Sequence, residues 1–193
     1  MTATPDPALI EIPLSFSTRR LLLRCPQPGD AVEYYTAIQE SRDELYPWFD
    51  ISGEETLDGC ETRLRDARNS FLAHEAFEFL MFVQGSEKLA GRLGLVEANW
   101  DTPSFTMGYW IRTSYAGQGL MTEAVKGLTQ FALTILGANR VAIFCNELNV
   151  KSAALAHRAG YRFEGILHND CRHFRTHELV NACIFSFTPD MQV

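Results

Sequence analysis

The sequence predicts one mixed α/β domain, and three observations support this fold class. The chain has 193 residues, which suits a single domain that buries roughly 70% of the surface its unfolded form would expose. Hydrophobic residues make up 46% and charged residues 21%, which is ordinary globular usage and argues against disorder. Strand-like and helix-like segments follow in the order β-α-α-β-β-β-α-β-α-β-β, which is not a strict βα repeat. We therefore expect one domain over residues 1–193, with a proline-rich, flexible arm at 1–13.

Five elements are expected in the N-terminal half. Ser52 and Glu55 have the spacing of a capping box, so a helix should begin at Ser52. Its apolar residues recur at steps of three and four and should form one buried stripe: Leu57, Cys60, Leu64, Ala67 and Phe71. The expected elements are a strand at 17–24, a helix at 30–40 capped by Asp30, a helix from 52 to 71, and strands at 77–83 and 88–97.

Six elements are expected in the C-terminal half. Gly137 and Gly160 follow two of the helices and should end them, and Asn149 should cap the second of these helices. The inner face of the first should hold Leu120, Ala124, Leu128, Phe131 and Ile135. The expected elements are a strand at 105–112, a helix from 120 to about 136, a strand at 141–145, a helix at 149–159, and a hairpin of strands at 161–167 and 179–187.

The charge and the cysteines exclude several classes of protein. The formal net charge is −7, so the surface repels phosphate backbones and tolerates cationic partners such as amines. The five cysteines are odd in number, widely spaced and without a C-x-x-C pair, which indicates reduced thiols. We see no signal peptide and no apolar run near the ~20 residues of a membrane helix. We expect a cytoplasmic protein, monomeric or homodimeric, that binds neither nucleic acid nor membrane.

The strongest chemical signal is a glycine-rich turn between a strand and a helix, from Ser114 to Gly119. Helix N-termini present free N–H groups and partial positive charge, which suits a phosphate, and glycine lets the backbone approach it. The turn contains neither G-x-x-x-x-G-K-[ST] nor G-x-G-x-x-G, so a nucleotide triphosphatase and a dinucleotide-binding fold are disfavoured. On its spacing alone, the G-x-G is either a phosphate-binding loop or a plain tight turn.

Four segments place this turn in a wider pattern. They are T-R-R-L-L-L-R at 18–24, G-Y-W-I at 108–111, Y-A-G-Q-G-L-M-T-E-A at 115–124, and N-V-K-S-A-A-L-A-H-R-A-G-Y at 149–161 followed by F-E-G at 163–165. In order and spacing the chain from about Ser17 onward resembles the GNAT acetyltransferases, and within them the RimJ/RimL-like N-acetyltransferase branch. The resemblance implies the GNAT fold, a central mixed, mostly antiparallel sheet flanked by helices. It also implies acetyl-CoA as the cosubstrate, with no metal.

The resemblance further implies which residues hold coenzyme A. Loop amides would bind the pyrophosphate, at Ala116, Gly117, Gln118, Gly119, Leu120 and Met121. The backbone of the preceding strand would bind the pantetheine arm, at Trp110, Ile111 and Arg112. Asn149 matches the family asparagine that bonds the same arm. The strand at 141–145 would splay away and open the slot for the thioester.

Several positions carry or lack the family's catalytic groups. Ser114 stands at the position where the family's loop often begins with Gln or Arg. Thr106 stands where the branch often has a Glu, and Ala156 stands where the wider family often has a Tyr that acts as the general acid. Cys145 and Ser152 resemble a Cys/Ser pair of the RimL type, in which the serine is proposed to protonate the leaving thiolate. The usual base and acid are therefore missing, whereas the Cys/Ser pair is present.

Acetyl transfer to an amine needs a proton acceptor for the amine and hydrogen-bond donors for the carbonyl oxygen and the leaving sulfur. Glu97, at a strand end near the expected acceptor, is the candidate base, and it equally fits a surface carboxylate. Ser152 is the candidate acid, and it equally fits a first-turn serine that bonds the backbone. Glu78 is a further carboxylate, while Glu123 is better explained as compensation of the helix dipole.

Two aromatic-rich or histidine-rich segments are candidates for acceptor recognition. Trp48 and Phe49, beside Tyr46, lie in a segment that borders the acceptor site in this family, although they also fit a hydrophobic core. Residues 168–177 hold three His, a Cys and an Asp, but their spacings fit no standard zinc pattern. We expect no metal there, and either a loop at the mouth of the site or a solvated loop.

Together these features predict an acetyl-CoA-dependent N-acetyltransferase that acts by direct attack in a ternary complex. The acceptor would be a primary amine: a protein or peptide N-terminal α-amine, a small cationic amine or a peptide antibiotic. The alternative is a coenzyme A-binding regulatory domain of the same fold with little turnover. Thr106 and Ala156, where a carboxylate and a phenol are missing, favour that alternative.

Overall fold

The computed structural model describes residues 10–191, so most of the arm expected at 1–13 lies outside the described residues. The strands are β1 (Ser15–Ser17), β2 (Leu21–Arg24), β3 (Phe77–Val83), β4 (Leu89–Asn99), β5 (Ser104–Ile111), β6 (Arg140–Asn146), β7 (Arg162–Arg172) and β8 (Leu179–Phe187). The helices are α1 (Ala31–Leu45), α2 (Leu57–Leu72), α3 (Leu120–Thr134) and α4 (Val150–Ala159).

The strands form one sheet in the order β1-β2-β3-β4-β5-β6-β8-β7. Every neighbouring pair is antiparallel except β5 and β6, which run parallel. The expected mixed, mostly antiparallel sheet is therefore confirmed. In the described part of the chain, no helix is both long and apolar enough to cross a membrane.

The single first strand expected at 17–24 is wrong, because this segment folds back on itself. β1 and β2 pair as a short hairpin in which Ser17 lies opposite Leu22. The Thr18 N–H closes the turn by donating to the Leu21 carbonyl at 2.9 Å. The turn is also held from outside, since both Thr18 and Arg20 donate to a carboxylate of α3. That contact joins residues about a hundred positions apart, so the local pattern cannot show it.

The predicted start of α2 at Ser52 is also wrong. Ser52–Glu54 forms only a short helical turn, and the helix begins at Leu57, where the Thr56 hydroxyl accepts from the Gly59 N–H at 3.0 Å. Four of the five stripe residues are buried as expected, but Leu57 is 44% exposed because it lies in the first turn. Ile135 is similarly 38% exposed, because α3 has already ended one residue earlier.

Helices cover both faces of the sheet, and successive side chains of β3 alternate between them. Phe79 and Met81 pack into the core that α3 and α4 share with the sheet. Leu80 and Phe82 pack into a second core beneath α1 and α2. The central strands are thus buried on both faces, so an opening is expected only where neighbouring strands separate.

Candidate active site

A cavity opens where the two central strands diverge. β5 and β6 pair only from Ser104 to Thr106, opposite Arg140 to Ala142, so the expected splay of the strand at 141–145 is confirmed. The cavity has a volume of about 290 Å³. Its lining comes from the α1–α2 segment, the two strand ends, the start of α4 and the β7–β8 hairpin: residues 47–49, 107–109, 143–146, 149, 152, 170–174 and 180–182.

The glycine-rich loop follows β5 and ends at the start of α3. Gly117 and Gly119 have φ angles of 76° and 74°, a region that residues with side chains rarely adopt. No side chain within residues 10–191 caps the N-terminus of α3, so its first amides are open to an anion. A Cβ at Gly117 would meet nothing within 4 Å. Ala116 differs from the other predicted amides, because its N–H donates to the Thr113 carbonyl at 3.1 Å.

Helix α1 holds the first half of this loop. The Ser114 N–H donates to the Glu40 carboxylate at 2.9 Å, and the Thr113 N–H donates to the Ser41 hydroxyl at 3.0 Å. Glu40 also accepts from the Arg112 guanidinium at 2.6 Å. The bonds from Ser114, followed by the one from Arg112, lower the pKa of Glu40. The carboxylate is therefore ionised at neutral pH and fixes the loop to the helix.

The strand before the loop is only partly free to bind pantetheine. The Arg112 N–H donates to the Ala90 carbonyl at 2.9 Å, and the Arg112 carbonyl accepts from Tyr115 at 2.9 Å. Its buried guanidinium bonds two glutamates of α1, each at 2.6 Å. A pantetheine contact at Arg112 would have to break one of these bonds. Alternate residues of a strand direct their backbone N–H and C=O groups to opposite sides. The backbone groups of Trp110 therefore point towards β4, as the Arg112 N–H does, and those of Ile111 point towards the opening beside β6.

A second anchor, from the β1–β2 turn, holds the other half of the loop. Arg20 donates through Nη1 to the Gln118 carbonyl at 3.1 Å, and its Nη2 lies 3.7 Å from where a Cβ of Gly119 would stand. Glu123 accepts from Arg20 Nε at 2.6 Å and from the Thr18 hydroxyl at 2.7 Å. Glu123 is therefore more than a first-turn charge, since it fixes Arg20 against the loop.

Three hydroxyl and thiol groups converge on the cavity. Ser152 lies in the first turn of α4, where its N–H donates to Asn149 Oδ1 at 3.1 Å, so the expected cap at Asn149 is confirmed. The Ser152 hydroxyl is 2.9 Å from the Tyr109 hydroxyl. Burial raises the pKa of the Cys145 thiol, against the opposing effect of a hydrogen bond with Ser152. Cys145 is therefore a neutral thiol beside the serine at neutral pH.

The carboxylates predicted for catalysis lie in different places. Glu97 is exposed, has a φ of 53°, and accepts from the Thr106 hydroxyl at 2.6 Å. Its carboxylate thus lies beside Thr106, but Glu97 does not line the cavity. Among the lining residues, all within the described range, Asp170 is the one carboxylate. Glu78 is buried beneath α2, where Arg63 binds it at 2.6 Å.

Aromatic side chains from two segments form the far end of the cavity. Trp48 and Phe49 both line it and are half-buried, and Phe49 also packs against the core of α1 and α2. The β7–β8 hairpin contributes His173 and Phe174, whose rings stack with centroids 4.8 Å apart. His173 Nε2 lies 3.2 Å from the Pro47 carbonyl, so the two segments meet across the opening.

The histidine-rich stretch contains a loop that is held by hydrogen bonds to His173. Within residues 10–191, no group of three or more His, Cys, Asp or Glu side chains is placed to hold a metal ion. His173 Nδ1 accepts from the N–H groups of Arg175 and Thr176, at 3.3 and 3.4 Å. Its ring therefore fixes the loop in which it lies.

Comparison with known families identifies the fold. Residues 20–162 match the acetyltransferase (GNAT) domain family. The chain belongs to the GNAT acetyltransferases. Its sheet and helices also superimpose on those of solved acetyltransferases.

Individual relatives of this GNAT acetyltransferase carry related names. YdaF of Bacillus subtilis (strain 168), named as a ribosomal N-acetyltransferase, is 29% identical over 147 residues, which is 75% of this chain and 79% of the relative. A Vibrio cholerae structure named as a ribosomal-protein-serine acetyltransferase is 28% identical, with a TM-score of 0.77 over 91% of this chain and 97% of that one. The microcin C7 self-immunity acetyltransferase, solved with acetyl-CoA and AMP, shares the fold at 20% identity, with a TM-score of 0.81 over 89% and 93% of the chains.

The sequence did not reveal several groups at this GNAT site. Glu40 and Tyr109 reach it from α1 and β5, and only the folded arrangement brings them there. Asp170 belongs to the segment 168–177, a candidate for the mouth of the site, and residues 170–174 of that segment line the cavity. Arg20 was partly indicated by the sequence, because it lies in the T-R-R-L segment that contributes to the family resemblance. Its contact with the loop could not be read from that segment alone.

Proposed function

We propose that this GNAT protein transfers the acetyl group of acetyl-CoA to a primary amine, by direct attack in a ternary complex. One observation carries the proposal. The cavity between β5 and β6 is lined by aromatic rings and a carboxylate, and β5 runs from the cavity wall directly into an uncapped glycine-rich loop. A thioester entering from the loop side and an amine entering from the aromatic side would meet beside Ser152.

The proposed coenzyme contacts follow from which backbone groups are available. The amides from Gly117 to Met121 would bind the diphosphate, helped by the α3 dipole and the nearby Arg20 guanidinium. Ile111 faces the opening and is our preferred partner for the pantetheine arm. Asn149 uses its carbonyl oxygen as the helix cap, so its amide NH₂ would make the predicted pantetheine bond.

The reaction needs a neutral amine, which attacks the thioester carbonyl carbon. A base takes the proton that the nitrogen loses, and the carbon–sulfur bond then breaks with its electron pair going to sulfur. We propose Glu97 as the base, acting through water from its position beside Thr106. Asp170 is the competing candidate, since it lines the cavity. Ser152 would supply a proton to the leaving sulfur.

The names of the relatives support a protein acceptor. YdaF and the Vibrio cholerae structure are both named for acetylation of ribosomal proteins. We therefore propose the N-terminal α-amine of a protein as the first acceptor class to test, ahead of small cationic amines and peptide antibiotics. Such an acceptor would also fit a cytoplasmic location, which the free cysteines favour.

The test is release of free thiol from acetyl-CoA across a panel of amines. The panel would contain peptides with free N-terminal serine or alanine, the same peptides with blocked N-termini, lysine side-chain peptides and polyamines. We expect thiol release with the free N-terminal peptides, together with a mass increase of one acetyl group on the peptide. Release that is equal with blocked peptides would contradict an α-amine acceptor.

The same assay separates the alternative function. Glu97 does not line the cavity, and Ala156 offers no phenol, so a regulatory domain that binds coenzyme A with little turnover is the second candidate. Tight acetyl-CoA binding without thiol release across the whole panel would favour that function.

A further inference from the structure

Tyr109 makes a contact that the reaction outlined above leaves unused. Its hydroxyl lies 2.9 Å from Ser152 Oγ and 3.3 Å from the Ser152 carbonyl oxygen. Both residues line the cavity, as does Cys145. The phenol thus reaches the first turn of α4 from the neighbouring strand β5.

The Tyr109 proton has two acceptors within reach, the Ser152 carbonyl oxygen and Ser152 Oγ. Either hydroxyl can donate in the Tyr109–Ser152 bond. When the tyrosine donates, the serine keeps its own proton free for an acceptor in the cavity. An anionic sulfur accepts a hydrogen bond more strongly than a neutral hydroxyl does. A departing thiolate beside Ser152 would therefore favour the orientation in which Tyr109 donates to serine and serine donates to sulfur.

A second tyrosine shows what a purely structural bond of this kind looks like. Tyr161 is buried in the core, where its hydroxyl lies 2.7 Å from the Thr129 hydroxyl. The Thr129 hydroxyl already donates to the Val125 carbonyl at 2.8 Å, so its proton is used within α3. Neither Tyr161 nor Thr129 lines the cavity.

We propose that Tyr109 is a positioning residue that holds the Ser152 hydroxyl with its proton directed at the leaving sulfur of the coenzyme, an inference that rests on the proposed function. As the carbon–sulfur bond breaks, its electron pair goes to sulfur and the Ser152 proton moves to sulfur, while the Tyr109 hydroxyl donates a hydrogen bond to the serine oxygen. The proton released by the amine returns to Ser152 through solvent, so the net transfer is from amine to thiol. Tyr109 thus places a phenol hydroxyl beside the first turn of α4, whereas position 156 of the same helix is an alanine.

The state of the phenol fits this role. Burial raises the pKa of Tyr109 to about 12, so it stays protonated and able to donate throughout the neutral range. Burial also raises the pKa of the neighbouring Cys145 thiol, so that group adds no competing negative charge near the sulfur.

The test measures steady-state thiol release with acetyl-CoA and the peptide carrying a free N-terminal serine. It compares the unaltered chain with Tyr109→Phe, Ser152→Ala, the double variant and Tyr161→Phe. We expect Tyr109→Phe and Ser152→Ala each to lower kcat by about 10-fold or more, with the KM for acetyl-CoA within about twofold. Because the tyrosine acts through the serine, the double variant should lose no more than Ser152→Ala alone. Tyr161→Phe should keep the kcat of the unaltered chain.

Each contrary outcome has its own meaning. Losses that multiply in the double variant, or a Tyr109→Phe effect confined to KM, would overturn the positioning role. A Ser152→Ala variant with unaltered kcat would overturn the route through serine even if Tyr109→Phe failed to fold. Thiol release by the unaltered chain keeps the proposed function intact in all these cases. An unaltered chain that releases no thiol with any amine would overturn the proposed function and this inference together.

Discussion

The loop proposed for coenzyme A and the acceptor end of the cavity are built differently. The loop is fixed from both sides: Glu40 and Ser41 of α1 bind its first half, and Arg20 binds its second. At the acceptor end, the lining comes from the α1–α2 segment and the β7–β8 hairpin. There Arg175 stacks over the Tyr46 ring at 3.8 Å, and the hairpin loop is largely exposed.

This difference indicates which half of the reaction the fold determines. A rigid loop has its amides oriented before the ligand arrives, so little conformational entropy is lost on binding. An end formed by aromatic rings and exposed loops can adapt to different acceptors. The coenzyme should therefore be recognised through a prebuilt backbone, and the acceptor through side chains that vary without disturbing the fold.

The largest expected effect comes from the base. If Glu97 accepts the amine proton, Glu97→Gln should lower kcat/KM by ~10²-fold at neutral pH, with acetyl-CoA affinity unchanged. The loss should shrink as the pH rises towards the pKa of the amine, because the free amine then needs no base. Steady-state thiol release as a function of pH measures both effects.

Asp170→Asn is the matched variant for this experiment. It removes the carboxylate that lines the cavity and keeps the size of the side chain. A large loss in Asp170→Asn alongside a normal Glu97→Gln enzyme would move the role of base from β4 to the acceptor end.

A smaller effect is expected when the loop loses its support from α1. Glu40→Gln weakens the bonds to Ser114 and Arg112, and a lost bond to a charged group costs about 1.5 kcal/mol. Acetyl-CoA affinity should fall by roughly tenfold, as measured by calorimetry. Glu164→Gln is the control, since it breaks a similar pair with Arg140 in the C-terminal part of the sheet. A similar loss of affinity in both variants would mean that the support of the loop is not specific.

The lowered pKa of Glu164 predicts how the free energy of unfolding depends on pH. Hydrogen bonds, first from Arg140 and then from Ser186, lower the pKa of Glu164 to about 2. A carboxylate whose pKa is lowered by folding stabilises the protein above its unfolded pKa of about 4.3 and loses this effect as the pH falls. The free energy of unfolding should therefore decrease between about pH 5 and pH 2, and Glu164→Gln should flatten part of this decrease. Denaturant unfolding at several pH values tests this, and an unchanged slope would count against the ion pair.

A side chain of the acceptor end should affect only the acceptor. Trp48→Ala removes one of the four rings that the α1–α2 segment and the β7–β8 hairpin bring to the cavity, and Trp48, unlike Phe49, does not pack against the core of α1 and α2. We expect the KM for the acceptor peptide to rise about fivefold, a typical cost of truncating one contact residue, with acetyl-CoA affinity unchanged. A matching loss of acetyl-CoA affinity would show that the two ends are not independent.

The smallest expected effect is that of a chelator. The proposed reaction has no step that requires a metal, so thiol release should be the same with and without EDTA. Loss of turnover that added zinc restores would contradict this and direct attention to the histidines of the β7–β8 hairpin.

The sequence predicted most of the fold because its signals are local. The glycine turn, the Asn149 cap and the buried stripe of α2 each depend on neighbours within a few positions, and the structure retains them. The failures involve distant partners. The first strand breaks into two because Glu123 binds the turn at Thr18, and α2 starts late because Thr56 is the better-placed cap.

The coenzyme loop could be predicted from the sequence more completely than the catalytic and acceptor-binding side chains. The coenzyme loop has a backbone function, so glycine spacing and family resemblance could locate it. Catalysis and acceptor binding depend on side chains that meet only after folding, such as Tyr109 with Ser152 and Glu97 with Thr106. No spacing in the sequence encodes those pairs.

We propose above all that the glycine-rich loop is a prebuilt site for acetyl-CoA. Calorimetric titration with acetyl-CoA should show binding to the unaltered chain, and Gly119→Val should lower the affinity by tenfold or more, about 1.4 kcal/mol. Gly85→Val is the matched control, because Gly85 has a similar φ of 79° in the β3–β4 turn and open space around it. Normal affinity in Gly85→Val together with the loss in Gly119→Val is the predicted result. A folded Gly119→Val protein that binds acetyl-CoA as tightly as the unaltered chain would contradict the account.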